Sequence, residues 1–328
     1  MLDSAHVLVT GAAGFIGSHL VEALVERGVR VTCMVRYNSG SSLGNLQFLQ
    51  PNHLATLTIA AGDINDGDFV HRAMQGHDVV LHLAALIAIP YSYLAPRSYV
   101  RTNVEGTLNV LEAARRLGIR RVVHTSTSEV YGSALYAPID ENHPLQGQSP
   151  YSASKIAADK LAEAYFRSFG TPVVTLRPFN TYGPRQSARA FIPTIISQAL
   201  MQDRISLGAL SPERDMTYVM DTVEGFIRAA STPGIEGETI HLGTGAARSI
   251  GDFATLVLGL MGKTMPILHD PARDRPAKSE VTKLISENGK ARRLLGWAPQ
   301  ISIEDGLRRT IEFIDRHPQD YRPASYML

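Results

Sequence analysis

Cysteine is nearly absent: Cys33 is the only one in 328 residues. No intrachain disulfide can form, which points to a reducing compartment. Cys33 itself reads as a small apolar strand residue. No apolar run approaches the about 20 residues that a membrane helix needs, and no basic-then-apolar leader opens the chain. A soluble cytoplasmic protein is therefore expected. Neither sign of charge dominates, with 32 Lys and Arg against 31 Asp and Glu and no long run of either. That excludes a general nucleic-acid or membrane-surface role and leaves room for local positive charge around a phosphate. The 11 histidines show no metal-ligand spacing and there is no cysteine cluster, so no metal is expected. His82 and His124 fall on strands and read as packed. A Gly-x-Ser-x-Gly elbow and a phosphate loop ending Gly-Lys-Ser/Thr are both missing. Internal repeats and low-complexity segments are missing too.

What is present is an alternation of strands and helices. His6 to Thr10 reads as a strand, and an amphipathic helix runs from about Phe15 to Arg27. Between them stands the turn Gly11-Ala-Ala-Gly14-Phe15-Ile16-Gly17. Gly11 permits the tight turn, Gly14 lets backbone approach a diphosphate, and Gly17 lets the helix pack close to the strand. Backbone amides at the helix start would then meet the diphosphate. The second strand, Arg30 to Val35, is followed by Arg36-Tyr37-Asn38-Ser39 and not by an acidic residue. An acidic residue there would hold ribose hydroxyls; Arg36 can hold a ribose 2′-phosphate instead, which favours NADP over NAD. A solvated Arg36 with NAD held by other contacts is the alternative.

Leu57 to Ala61 is a third strand, ending at Gly62-Asp63-Ile64. Asp63 either meets an adenine amino group or caps the next helix. Asp78 to Leu83 is a fourth strand, and the small Ala84-Ala85 after it would let a cofactor pass closely. A helix is expected over Pro96 to Leu117, carrying Asn103, and Val122 to Ser126 is a fifth strand. This order implies a parallel sheet with right-handed crossovers. Val173 to Arg177 is a sixth strand. Beyond Pro178 the texture turns irregular, with helices over Phe191 to Met201, Thr217 to Ala230, Ile250 to Met261, Glu287 to Leu295 and Ile303 to Arg316. Strands are expected at Ile205 to Leu207 and at Glu238 to Leu242, the latter returning to the large sheet.

The chemistry gathers in two stretches. Thr125-Ser126-Thr127-Ser128-Glu129-Val130-Tyr131 closes the fifth strand with hydroxyls and one carboxylate. Tyr151-Ser-Ala-Ser-Lys155 opens a helix to about Phe169, with Tyr151 and Lys155 four apart on one face. A free phenol, with a pKa of about 10, is a poor base at neutral pH. An ammonium beside it favours the phenolate. Thr127 can hydrogen-bond the same substrate oxygen, so the set can deprotonate an alcohol while its carbon gives up a hydride. Simple alcohol oxidation leaves Glu129 without a part.

The turn GAAGFIG, the helix start YSASK and the segment RPFNTYGP together resemble the extended short-chain dehydrogenase/reductases that act on nucleotide sugars. The resemblance covers essentially the whole chain. It implies an α/β fold, a Rossmann-type doubly wound parallel sheet with a smaller α/β substrate-binding lobe. Residues 1–177 with 217–245 would bind the dinucleotide, and residues 178–216 with 246–328 the nucleotide sugar. It implies Tyr151 as base, assisted by Lys155 and Thr127. It also adds Phe15, Ile16, Ile64, Leu83, Asn103 and Pro178 to the cofactor contacts. NAD or NADP would be retained and recycled. Thr127-Ser128-Glu129 matches the triplet of the nucleotide-sugar 4,6-dehydratases in its GDP-mannose form. Glu129 would remove the C5 proton of a C4-oxidised hexose and return a proton to the departing C6 hydroxyl, before hydride returns to C6. Ser128 stands where many dTDP-glucose dehydratases have a second carboxyl acid.

Tyr37-Asn-Ser39, STSEVYG, SPYSASK, Arg185-Gln-Ser-Ala-Arg189 and the run from Leu207 to Asp215 are similar to the LegB-type GDP-N-acetylglucosamine 4,6-dehydratases. By position, Asn180, Arg185, Arg214 and Arg275 are then candidate substrate ligands; as the alternative, Arg214 and Arg275 form surface ion pairs. Ile87, in the apolar stretch after strand four, either meets an N-acetyl group or only packs. The expected substrate is GDP- or UDP-N-acetylglucosamine, giving a 4-keto-6-deoxy sugar. UDP-glucuronate decarboxylation, 4-epimerisation and a non-catalytic cofactor-binding role are the alternatives. A homodimer is implied, pairing the helices near 96–117 and 151–169 with their copies in a four-helix bundle.

Overall fold

The computed structural model describes residues 2, 4–274 and 276–321. Its centre is a seven-stranded sheet of β1 (His6–Thr10), β2 (Arg30–Arg36), β3 (Thr58–Gly62), β4 (Val79–His82), β5 (Arg121–Thr125) and β6 (Val173–Pro178), completed by Thr239–Leu242. Six further strands are described: β7 (Asn180–Tyr182), β8 (Ile205–Leu207) and β9 (Glu213–Tyr218) before Thr239–Leu242, which is β10, then β11 (Ala247–Ser249), β12 (Ile267–His269) and β13 (Lys283–Leu284). The large sheet runs β10-β6-β5-β4-β1-β2-β3, and each of its pairings is parallel. From β1 the chain winds outward to β2 and β3, then crosses back to β4 on the other side of β1. The carboxyl ends of β1 and β4 thus frame the switch point where open α/β sheets bind ligands.

Alternate residues of each central strand go to opposite faces. Val7, Val9, Val79, Leu81 and Val123 join a core with Leu20 and Leu24 of the helix Phe15–Glu26 and Val223 and Phe226 of the helix Val219–Ser231. Leu8, Val80 and Val122 join a second core with Met74, Leu111 and Tyr165, from the helices Gly67–Met74, Gly106–Leu117 and Pro150–Phe169. Helices cover both faces, which is why these strands read as continuous apolar runs. Each such buried aliphatic side chain contributes about 1.5–3 kcal/mol of transfer free energy.

Much of the remainder follows the sequence reading. Phe191–Met201, Ile205–Leu207 and Ile303–Arg316 fall where expected, and β10 does rejoin the large sheet beside β6. Three differences have physical causes. The helix expected from Thr217 begins at Val219, because Thr217 and Tyr218 are the end of β9 and pair with Thr181 and Tyr182 of β7. The helix expected over Pro96 to Leu117 is interrupted: Pro96–Tyr99 is followed by a π-helical turn, Val100–Glu105, before Gly106–Leu117. Asn103 sits in that turn and its side chain draws the turn inward, as described below. A second sheet, β11-β9-β13 with β7 also on β9, had no sequence signal.

Candidate active site

The first element of the site is the glycine turn. Gly11 has φ +69°, and a Cβ there would lie 2.8 Å from the Ala84 backbone nitrogen. The end of β1 therefore runs against the residues after β4. A Cβ at Gly17 would lie 2.2 Å from the Gly11 carbonyl oxygen, so only glycine lets this helix start so close to the turn. Gly14 is its N-cap, with no side-chain cap and no acidic residue in the first turn. Its leading amides face outward under a positive helix end, a fit for the diphosphate of a dinucleotide. Thr10, which the sequence reading passed over, pins the other wall: its Oγ1 accepts from the backbone of Leu83 and of Ala84, each at 3.1 Å, and meets His82 Nδ1 at 2.8 Å.

Asn103 is fully buried and its amide is committed. Oδ1 accepts from Leu86 N at 2.8 Å, and Nδ2 donates to Leu86 O and Ser154 Oγ, each at 2.9 Å. It ties the segment after β4 to the helix Pro150–Phe169. Tyr99 adds a second tie, its hydroxyl donating to the Ala88 carbonyl while its ring meets that of Tyr151 edge-on at 6.2 Å. Ile64 packs on Gly106, and Pro178 is buried at the end of β6. Arg36 and Asp63 stand exposed at the carboxyl ends of β2 and β3. Asp63 does not cap the next helix: its Oδ1 accepts from Asn65 N at 3.0 Å, and the cap is Asp66, which accepts from Phe69 N.

The two chemical stretches meet. The helix Pro150–Phe169 starts with a capping box between Ser149 and Ser152, which fixes its first turn and thereby Tyr151. Thr127 opens the turn Ser128–Tyr131, accepting from Glu129 N at 3.2 Å. Its side chain also acts on Tyr151. Ser128 and Glu129 are buried in that turn. Burial pushes the Tyr151 phenol well above its usual range; the Thr127 hydroxyl draws it down and the nearby Glu129 carboxylate pushes it up. Lys155, one turn along the same helix, is buried. Its Nζ donates to the Thr125 carbonyl at 2.5 Å, and burial brings it down to about 8 against the pull of Asp159.

A cleft of about 540 Å³ opens beside the glycine turn, in the size range of small-molecule sites. Phe15, Ile87 and Arg185 line it, as do Arg189, Gln198 and Arg273, which the sequence reading did not select. Arg189 ends the run Arg185-Gln-Ser-Ala-Arg189, whose resemblance already points to this segment. Arg185 adopts φ +66°, and its Nη2 donates to Glu22 at 2.7 Å. Its buried Nε and Nη1 meet no acceptor among the described residues. Asn180, on β7, likewise has a buried amide oxygen with no donor among them. Arg214 is not on this cleft's lining: it is buried, with Nη1 donating to the Glu213 carbonyl at 3.0 Å and Nη2 to Glu280 at 3.2 Å. Arg275 lies outside the described residues. No described helix is long and apolar enough to cross a membrane.

Known proteins are similar to this chain along nearly its full length. The family model described as GDP-mannose 4,6 dehydratase matches residues 8–310. A dTDP-glucose 4,6-dehydratase of Streptomyces griseus is 36% identical over 325 residues, covering 98% of this chain and 97% of that protein. A UDP-glucose 4-epimerase of Mycolicibacterium smegmatis is 34% identical over 318 residues, covering 95% and 99%. The structure of DesIV, a dTDP-glucose 4,6-dehydratase from Streptomyces venezuelae solved with NAD bound, superposes with a TM-score of 0.85 at 30% identity, covering 98% of this chain and all of that one (100%). Matches of this length and identity show that the protein belongs to the GDP-mannose 4,6 dehydratase family of nucleotide-sugar enzymes.

Proposed function

We propose that the protein is a nucleotide-sugar 4,6-dehydratase, converting a nucleotide-activated hexose to its 4-keto-6-deoxy form. The observation that carries this reading is Glu129, a buried carboxylate in the turn that Thr127 opens and close enough to Tyr151 to act on its charge. Residues 1–177 with 217–245 would hold the dinucleotide, through Gly11, Gly14, Gly17 and the leading amides of the helix Phe15–Glu26. When bound, it supplies the acceptor and donor of hydride. The cleft lined by Arg185 would take the nucleotide sugar, with residues 178–216 and 246–328 forming most of its wall and guanidinium donors suited to a diphosphate. GDP- or UDP-N-acetylglucosamine is the proposed substrate, with Ile87 at the hexose, and the protein works as a homodimer.

Tyr151 takes the C4 hydroxyl proton, while Thr127 holds the same oxygen. Lys155 in its charged form favours the phenolate. Oxidation at C4 makes the C5 proton acidic. Glu129 removes that proton as a carboxylate, then as the resulting acid protonates the C6 hydroxyl, which leaves as water; C6 then receives the hydride taken from C4, and C5 takes up a proton from solvent. Ser128 supplies no second carboxyl, so Glu129 serves both steps in turn. A 4-epimerase reading has one observation in its favour, the 34% identity to a UDP-glucose 4-epimerase. It leaves Glu129 without a task. Glu129→Gln should lower water loss by about 10²–10⁴-fold. It should also stop uptake of solvent deuterium at C5 while C4 oxidation persists. Unchanged dehydration by this variant would remove the assigned role.

A further inference from the structure

Behind Lys155 lies a buried polar cluster that the reaction above does not use. Asp159, one helical turn beyond Lys155, is 5% exposed. Its Oδ1 meets His124 Nε2 at 3.1 Å, and its Oδ2 accepts from Ser126 Oγ at 2.6 Å and from Arg177 Nη2 at 2.9 Å. Arg177 continues to the Tyr131 hydroxyl at 2.6 Å. Strands β5 and β6 thus deliver three donors to one carboxylate on the helix that carries Tyr151 and Lys155. A buried ion pair is weak support for stability by itself, because desolvation offsets the attraction.

We propose that Asp159 is a positioning residue for catalysis, whose buried carboxylate holds the amine of Lys155 in its charged form. The proposal rests on the reading of Lys155 as the partner of Tyr151. Among the described residues, Asp159 acts on Lys155 from one turn along the same helix; β5 offers the Thr125 carbonyl and His124; β4 offers His82; Arg177 of β6 stands behind Asp159. Burial drives His82 and His124 below their usual range, so both are neutral at pH 7. Nε2 of His124 then carries the proton that points to Asp159, since its buried Nδ1 meets no partner among the described residues. Burial alone would raise the Asp159 carboxyl; the His124 hydrogen bond and the Arg177 charge overcome it and hold the group at about 2. Asp159 is thus negative throughout the working range. Lys155, which burial takes down to about 8, gains its upward pull from Asp159. Without that charge the ammonium would be lost at lower pH, and Tyr151 would lose its partner near neutrality.

The chain has only six lysines, so lysine labelled with ¹³C at Cε in the full-length protein gives few NMR signals to resolve. The Lys155 signal is identified by its loss in Lys155→Met. In Asp159→Asn its titration midpoint should fall by about one pH unit or more, and Asp159→Glu should restore it. Asp159→Asn strands a buried guanidinium, so the double variant Asp159→Asn, Arg177→Met provides a form without an uncompensated ion; Lys155 should titrate below the wild type there too. A wild-type midpoint in the folded variants would overturn the proposal and leave the cluster a packing feature. The titration needs no turnover. An inactive protein that shows the shift keeps this inference while defeating the dehydratase reading, and an active dehydratase without the shift does the reverse.

Discussion

The Thr127 side chain, just past β5, works against burial on the phenol of Tyr151 in the first turn of the helix Pro150–Phe169 and draws it towards the phenolate. The two stretches that carry the chemistry thus act on each other. Tyr151→Phe should therefore lower kcat by about 10²–10⁴-fold with little change in KM. Thr127→Val should lower kcat by a smaller factor and move the acidic limb of the pH profile upward, since the phenol loses the Thr127 hydroxyl. Stopped-flow absorbance of cofactor reduction checks both.

The alkaline side has its own sign. Lys155 is brought down to about 8 by burial, so its charge is complete well below pH 8 and is lost as pH rises through that value. The rate of C4 oxidation should fall over the same window. A profile flat from pH 7 to pH 9.5 would contradict a role for the ammonium.

Gly17 is tested by one methyl group. In Gly17→Ala the new Cβ would begin 2.2 Å from the Gly11 oxygen, and the glycine turn must move to admit it. Overpacking of this kind costs about 1–3 kcal/mol. Dinucleotide affinity, read by fluorescence titration, should drop more than thermal stability does, because the displaced backbone is the cradle itself.

Arg36 separates the two dinucleotides. It ends β2 in the open, where a ribose 2′-phosphate would be met. If it holds that phosphate, Arg36→Ala should weaken NADP binding by about tenfold or more and leave NAD binding nearly unchanged. Equal effects on the two would show that Arg36 does not choose between them.

The sequence made β1, the glycine turn and the first helix readable because each is local: an apolar strand, three glycines and a 3.6-residue period lie within about 20 residues. Tyr151 and Lys155 were readable for the same reason. Their surroundings were not. Asp159 looks like one more surface residue of an amphipathic helix until β5 and β6 bring His124, Ser126 and Arg177 to it. The i, i+4 spacing places Lys155 on the face of Tyr151 but does not reveal that its amine is also bonded to the Thr125 carbonyl. The second sheet escaped because β9, Glu-Arg-Asp-Met-Thr-Tyr, has no apolar alternation, and its partners are two or three residues long and distant in sequence. Arg214, a candidate by position, pairs with Glu280 and with the Glu213 carbonyl, and the distant Glu280 gave no local signal.

The central claim is that this site removes water. The purified protein should be incubated with GDP- and UDP-N-acetylglucosamine, GDP-mannose, dTDP-glucose and UDP-glucuronate, and each product weighed by mass spectrometry. The account predicts loss of one water from one of the four hexose substrates, most plainly from an N-acetylglucosamine nucleotide. An isomer of unchanged mass, or loss of carbon dioxide from UDP-glucuronate with no dehydration anywhere, would contradict it.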